Sequence, residues 1–131
     1  MRLGFQTSLL LAAFVPLMLG VLTLFEGAAR FLPVDLISAQ LDGQMRFWAI
    51  RSMLPFFLAI WIVRNLDRAG AVLAIVIWAT VAGGLARILS VIQYGLSDPA
   101  MMGVIAFEIG AVLFLPWYRV VVGGRQERAV A

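Results

Sequence analysis

Residues 70–92 read GAVLAIVIWATVAGGLARILSVI, an apolar run with one charged residue, Arg87, near its end. At the helical rise of about 1.5 Å per residue, such a run is long enough to cross the roughly 30 Å hydrocarbon layer of a bilayer. Three comparable runs accompany it, at 8–25, 46–63 and 101–122. The pattern predicts an all-α fold: a transmembrane four-helix bundle formed by one domain over residues 1–131.

Composition supports this reading. Of the 131 residues, 63% are apolar and 13% charged, where a soluble domain carries about a quarter charged residues. A soluble fold of this size has too little interior to hide so much apolar surface. The chain has no cysteine and no histidine, and all ten basic residues are arginine. Disulfides, thiolate or imidazole metal sites, thiol nucleophiles and lysine Schiff bases are therefore excluded, as is haem held by imidazole. A net charge of +3 spread along the chain makes no nucleic-acid patch, and no cofactor is expected.

The segments between the runs punctuate them. The first run could pass for a signal peptide, with Gly27, Ala28 and Ala29 as small residues at a cleavage site, but the basic start has only Arg2, so an uncleaved helix is expected. Between 26 and 44, Val34, Ile37, Leu41 and Met45 recur at helical spacing, with Asp35, Ser38 and Asp42 opposite. This predicts a short interfacial helix starting near Pro33 in the first outer loop. Arg64, Asn65, Asp67 and Arg68 close the second run, a tight turn is expected over 95–99, and Gly123 and Gly124 are expected to end the fourth. Kinks are expected at Pro16, Pro55 and Pro116.

Arg2, Arg64, Arg68, Arg119, Arg125 and Arg128 fall on one side, against Arg30 and Arg46 on the other. The positive-inside rule then places both termini in the cytoplasm, which four crossings allow. Trp61, Trp117 and Tyr118 would mark the inner interface, and Trp48 and Tyr94 the outer.

Arg51, Arg87 and Glu108 interrupt the runs. Helical rise puts them roughly 7 to 8, 9 and 12 Å from the outer boundary. A charge at such depth costs about 2.5 to 3.5 kcal/mol on insertion scales, so a shared cluster is expected in which Glu108 accepts from Arg87, Arg51 or both. Snorkelling of either arginine to the headgroups remains open. The cluster would carry one spare positive charge, balanced by Asp42, by a polar group such as Ser90 or Thr80, or by a lipid phosphate. Two strips of small residues, Ala79-Gly83-Gly84 and Gly103-Ala106-Gly110, are expected to let helices approach beside Arg87 and Glu108. Asp42 and Arg46 form an i,i+4 pair at the start of the second helix, either a solvated cap or a lid over the cluster.

The stretch LDGQMRF at 41–47, the stretch GGLARILS at 83–90, the turn at Pro99 and a helix carrying Glu108 together resemble a family of small bacterial four-helix membrane proteins, catalogued as a domain of unknown function. The resemblance covers nearly the whole chain. It implies an inner-membrane protein with Arg46, Arg87 and Glu108 at the family's polar positions, and it implies no activity.

Three functions are compatible with these residues. The first is a non-catalytic accessory or scaffold subunit, or an anionic-lipid binder working through Arg51, Arg87, Glu108, Asp42, Arg46 and Ser90. Its partners would be membrane lipids and a membrane protein, or further copies of the chain. The second is a small oligomeric transporter or channel coupled through Glu108 and Arg87. The third is a lipid-headgroup enzyme with Glu108 or Asp42 as base, which arginine neighbours disfavour.

Overall fold

A computed structural model describes residues 1–96 and 99–130, with 124–130 described by backbone only. Among the described residues the chain is helical apart from short connections and has no strand. Helix α1 spans Arg2–Glu26, α2 Ala39–Arg64, α3 Gly70–Tyr94, α4 Ala100–Gly110 and α5 Phe114–Val130. A 3-10 turn, Ala111–Leu113, joins α4 to α5. Four stretches are long and apolar enough to cross a membrane: Arg2–Arg30, Ala39–Arg64, Gly70–Tyr94 and Ala100–Gly123.

The ends differ from the sequence expectation in several places. The short helix expected from near Pro33 is a single turn and does not run on to Met45. There is only a 3-10 turn, Val34–Leu36, and Ile37 is already extended at φ −91°, ψ 118°. Ser38 then starts α2, its Oγ accepting the Leu41 N–H at 3.2 Å, so Leu41 and Met45 belong to α2. A serine oxygen that satisfies a first-turn amide favours a new start over continuation. Gly123 and Gly124 do not stop the last helix; glycine permits the αR conformation as readily as a turn. Pro16 and Pro55 stand inside the unbroken helices α1 and α2, as kinked helices also allow. Near Pro116 the chain tightens into the 3-10 turn, because the proline ring crowds the preceding turn and supplies no N–H. The expected turn over 95–99 includes Ser97 and Asp98, which lie outside the described residues, as do the side chains of Arg125 and Arg128.

The chain divides into two compact units. One, Gln6–Arg64, is the hairpin of α1 and α2. Small residues bring its helices together: a Cβ on Gly20 would lie 2.7 Å from the Ala49 carbonyl oxygen and 3.0 Å from Met53 Cγ. At the far end Gln6 Nε2 donates to the Val63 carbonyl at 3.1 Å. The first helix is thus fastened to the last turn of α2.

The other unit joins Met1–Phe5 to the chain from Asn65 onward. Leu73, Ile77, Val81 and Gly84 form the buried stripe of α3, and Ile105 is buried on α4. Phe5 is fully buried. It meets Phe114 and Trp117 edge-on at centroid distances of 5.8 and 5.5 Å. Tyr118 packs beside it, its hydroxyl donating to the Leu66 carbonyl at 2.6 Å. Phe5, which precedes the apolar run beginning at residue 8, is therefore a core residue on an opening turn whose Leu3 is exposed. Phe5→Ala should lower stability in mild detergent by about 3 kcal/mol. Phe107→Ala, at a position 42% exposed, should change it by no more than about 0.5 kcal/mol. Thermal unfolding of the two variants checks the difference.

Candidate functional site

Polar chemistry gathers at two places, one in each unit. In the unit formed by α3 to α5, Arg87 Nε donates to both carboxylate oxygens of Glu108, at 3.2 Å to Oε1 and 3.0 Å to Oε2. Gly84 makes this possible. A Cβ there would lie 3.0 Å from Ile109 Cδ1 and 3.1 Å from Glu108 Cβ, so a side chain would push α4 away. Gly83 adjoins the carboxylate itself. The glycine pair thus has a local cause: one glycine admits the neighbouring helix and the other leaves room for the acid. The two side chains are unequally covered, Arg87 being 48% and Glu108 18% exposed. Thr80 Oγ1 donates within its own helix to the Val76 carbonyl at 2.9 Å, and Ser90 stands exposed on α3.

The second strip behaves otherwise. A Cβ on Gly103 or Gly110 would meet nothing within 4 Å, and Ala106 is exposed. These residues face away from the packed side of α4, because Ile105 and Glu108 take the positions that meet α3.

In the α1–α2 hairpin, Asp42 and Arg46 tie the end of α1 to the beginning of α2. Asp42 Oδ2 accepts from Arg46 Nε at 2.8 Å, and Oδ1 accepts the Ala28 N–H at 2.8 Å. Arg46 Nη1 donates to the carbonyls of Leu24 and Phe25. Those carbonyls close α1 and have no partner within the helix, so the guanidinium caps the negative end of its dipole. Gly27 lets the chain turn there with φ +62°, and a Cβ would collide with the Asp42 carboxylate. This pair does more than cap its own helix. Glu26 and Arg30 form a further i,i+4 pair at 2.8 Å.

Arg51 also belongs to the hairpin. Its guanidinium carbon lies 5.8 Å from the Phe47 ring centroid and 5.2 Å from that of Trp48. The structure therefore brings Arg87 to Glu108 and Asp42 to Arg46, and sets Arg51 against aromatic rings of its own helix. The carbonyls of Leu24 and Phe25 and the Ala28 amide were missed from sequence. The signal was Gly27, which is as much a glycine just past a helix end as part of a cleavage motif. Among the described residues, no group of three or more acidic, histidine or cysteine side chains could hold a metal ion.

The family described as Domain of unknown function (DUF4345) matches residues 4–118. No curated protein and no solved structure matches the chain.

The Arg87–Glu108 contact is testable as a coupling. Arg87→Gln or Glu108→Gln alone leaves one charge uncompensated, whereas the double substitution removes both. Unfolding of the four proteins should give a coupling of roughly 1 to 3 kcal/mol. Simple additivity would show that the pair contributes no stability.

Proposed function

We propose that this chain, which belongs to the DUF4345 family, is a non-catalytic multi-pass protein of the bacterial inner membrane. It serves as an accessory or scaffold subunit of a larger membrane complex and holds anionic lipid at its arginines. The observation that carries the reading is the uncovered apolar surface of four membrane-length helices. Leu89 is 67% and Ile92 75% exposed on α3, and Leu113 is 68% exposed ahead of α5. Apolar faces of this extent in a small protein mark contact with lipid or with a partner.

The Ala100–Gly123 stretch is the least covered of the four, and its small residues Gly103, Ala106 and Gly110 lie on the open side. Such a face lets a neighbouring helix come close. Arg64 and Arg68, between α2 and α3, support an orientation with that loop and both termini in the cytoplasm.

The non-catalytic part rests on how the acids are engaged. Both oxygens of Glu108 accept from Arg87, and the two of Asp42 accept from Ala28 and Arg46. Each of these oxygens already accepts from a protein donor, which leaves neither acid aimed at a substrate proton. One observation favours a second reading: the Arg87–Glu108 pair bridges two helices and is partly uncovered, as a coupling pair in an oligomeric transporter would be. Loss of flux in Glu108→Gln proteoliposomes would support that alternative.

Extraction of the native membrane in mild detergent, followed by affinity capture and mass spectrometry, tests the main proposal. A membrane protein should be recovered in fixed ratio with the chain. A monodisperse chain carrying only bulk lipid would overturn the subunit role.

A further inference from the structure

Most charged side chains on the long apolar helices are matched by an opposite charge. Arg2 meets Asp67, Arg30 meets Glu26, Arg46 meets Asp42 and Arg87 meets Glu108. Arg51 lies well inside the apolar part of α2, and among the described residues it meets no carboxylate. Its neighbours are the rings of Phe47 and Trp48, one turn back along the helix.

This placement fixes where the charge goes. Side chains on a helix lean toward its N-terminus. With its guanidinium over rings three and four residues earlier, Arg51 carries its charge roughly one turn, about 5 Å, nearer the start of α2 than its own Cα. That start holds the polar groups Asp42, Gln44 and Arg46. Arg51 follows Arg46 by five residues, roughly 7 to 8 Å of helix, so the lean returns the guanidinium to within a few ångströms of the polar boundary.

The contact with the rings leaves donors free. Among the described residues Arg51 makes no hydrogen bond and no ion pair, so its five N–H groups have no protein acceptor. The rings thus hold the cation without occupying its hydrogen bonds. Phe47 and Trp48 are 52% and 53% exposed, so this edge of α2 is open to the surroundings. A planar fork of free donors with an uncompensated positive charge matches a phosphodiester, which accepts two parallel hydrogen bonds.

We propose that Arg51, braced by Phe47 and Trp48, binds the phosphate of an anionic phospholipid in the leaflet where α2 begins. The inference rests on the membrane reading given above, and it moves the lipid contact from a shared arginine–glutamate cluster to this residue. Arg87 is a weaker candidate because Glu108 neutralises it and repels a second anion. Charge selects the lipid: a zwitterionic headgroup brings its own cation to the phosphate, whereas phosphatidylglycerol leaves the phosphate charge for Arg51.

The test uses the full chain reconstituted in vesicles of equimolar phosphatidylglycerol and phosphatidylcholine with matched acyl chains. Lipid retained on the protein is then read by native mass spectrometry. The wild type should retain phosphatidylglycerol over phosphatidylcholine by at least about fivefold, the share expected from one arginine near the surface. Arg51→Gln should retain a phosphatidylglycerol preference about fivefold smaller than the wild type's. Undiminished enrichment in Arg51→Gln, or none in the wild type, overturns the proposal. Loss of the wild-type enrichment on adding excess inorganic phosphate also overturns it, by assigning the site to free phosphate. Should Arg51→Gln not insert, Arg51→Lys decides, since lysine keeps the charge without the fork. A drop below wild type supports the proposal and an undiminished value overturns it. Failure of the wild type to enter vesicles counts against the membrane reading itself, whereas entry without enrichment counts against the Arg51 site alone.

Discussion

A charge carried on an apolar helix has to be satisfied close to where it stands, and this constraint organises the polar chemistry of the chain. Removing a guanidinium or carboxylate from water is expensive unless an opposite charge or several hydrogen bonds replace the lost hydration. Arg87 and Glu108 meet this requirement across two helices. Arg46 meets it with one carboxylate and two carbonyl oxygens. Arg51 meets it in part with the faces of two rings. These three solutions leave different remainders: a neutral pair, a closed network, and a cation whose donors are still free.

Glycine sets the distances these solutions need, for a different reason at each place. At Gly84 the missing Cβ lets α4 approach until Glu108 comes within reach of Arg87. At Gly20 it brings α1 onto the Ala49 turn of α2. At Gly27 it permits a positive φ, and the carboxylate of Asp42 fills the space a side chain would take. Two of the electrostatic contacts therefore depend on packing: a methyl group at Gly27 would overlap the Asp42 carboxylate, and one at Gly84 would require Glu108 and Ile109 to give by a few tenths of an ångström.

Part of this was legible before any coordinates. Apolar runs of membrane length with polar breaks gave four long helices, and the depth of Glu108 called for an arginine beside it. Other parts were not. The pattern from Val34 to Met45 has helical period, yet Ser38 restarts the chain in its middle, because a local cap outweighs a weak periodicity. The Gly103-Ala106-Gly110 strip resembled a packing face as closely as Gly83-Gly84 did, and only the rotation of α4 about its axis separates them. Phe5 lies outside the apolar run, and nothing in its neighbours announces the cluster it makes with Phe114, Trp117 and Tyr118.

Sequence by itself determined the helical class, the number of long apolar stretches, the absence of thiol and imidazole chemistry, and which few charges would need partners. These are properties of composition and local period, which do not depend on where distant residues lie. Tertiary structure alone decided which partner each charge received. Glu108 goes to Arg87 because Gly84 lets those two helices touch, Arg46 goes to the end of α1 because Gly27 turns the chain under it, and Arg51 lies on its own helix's rings. Pair identity depends on which faces meet and on the lean of each side chain, and neither is encoded at any single position.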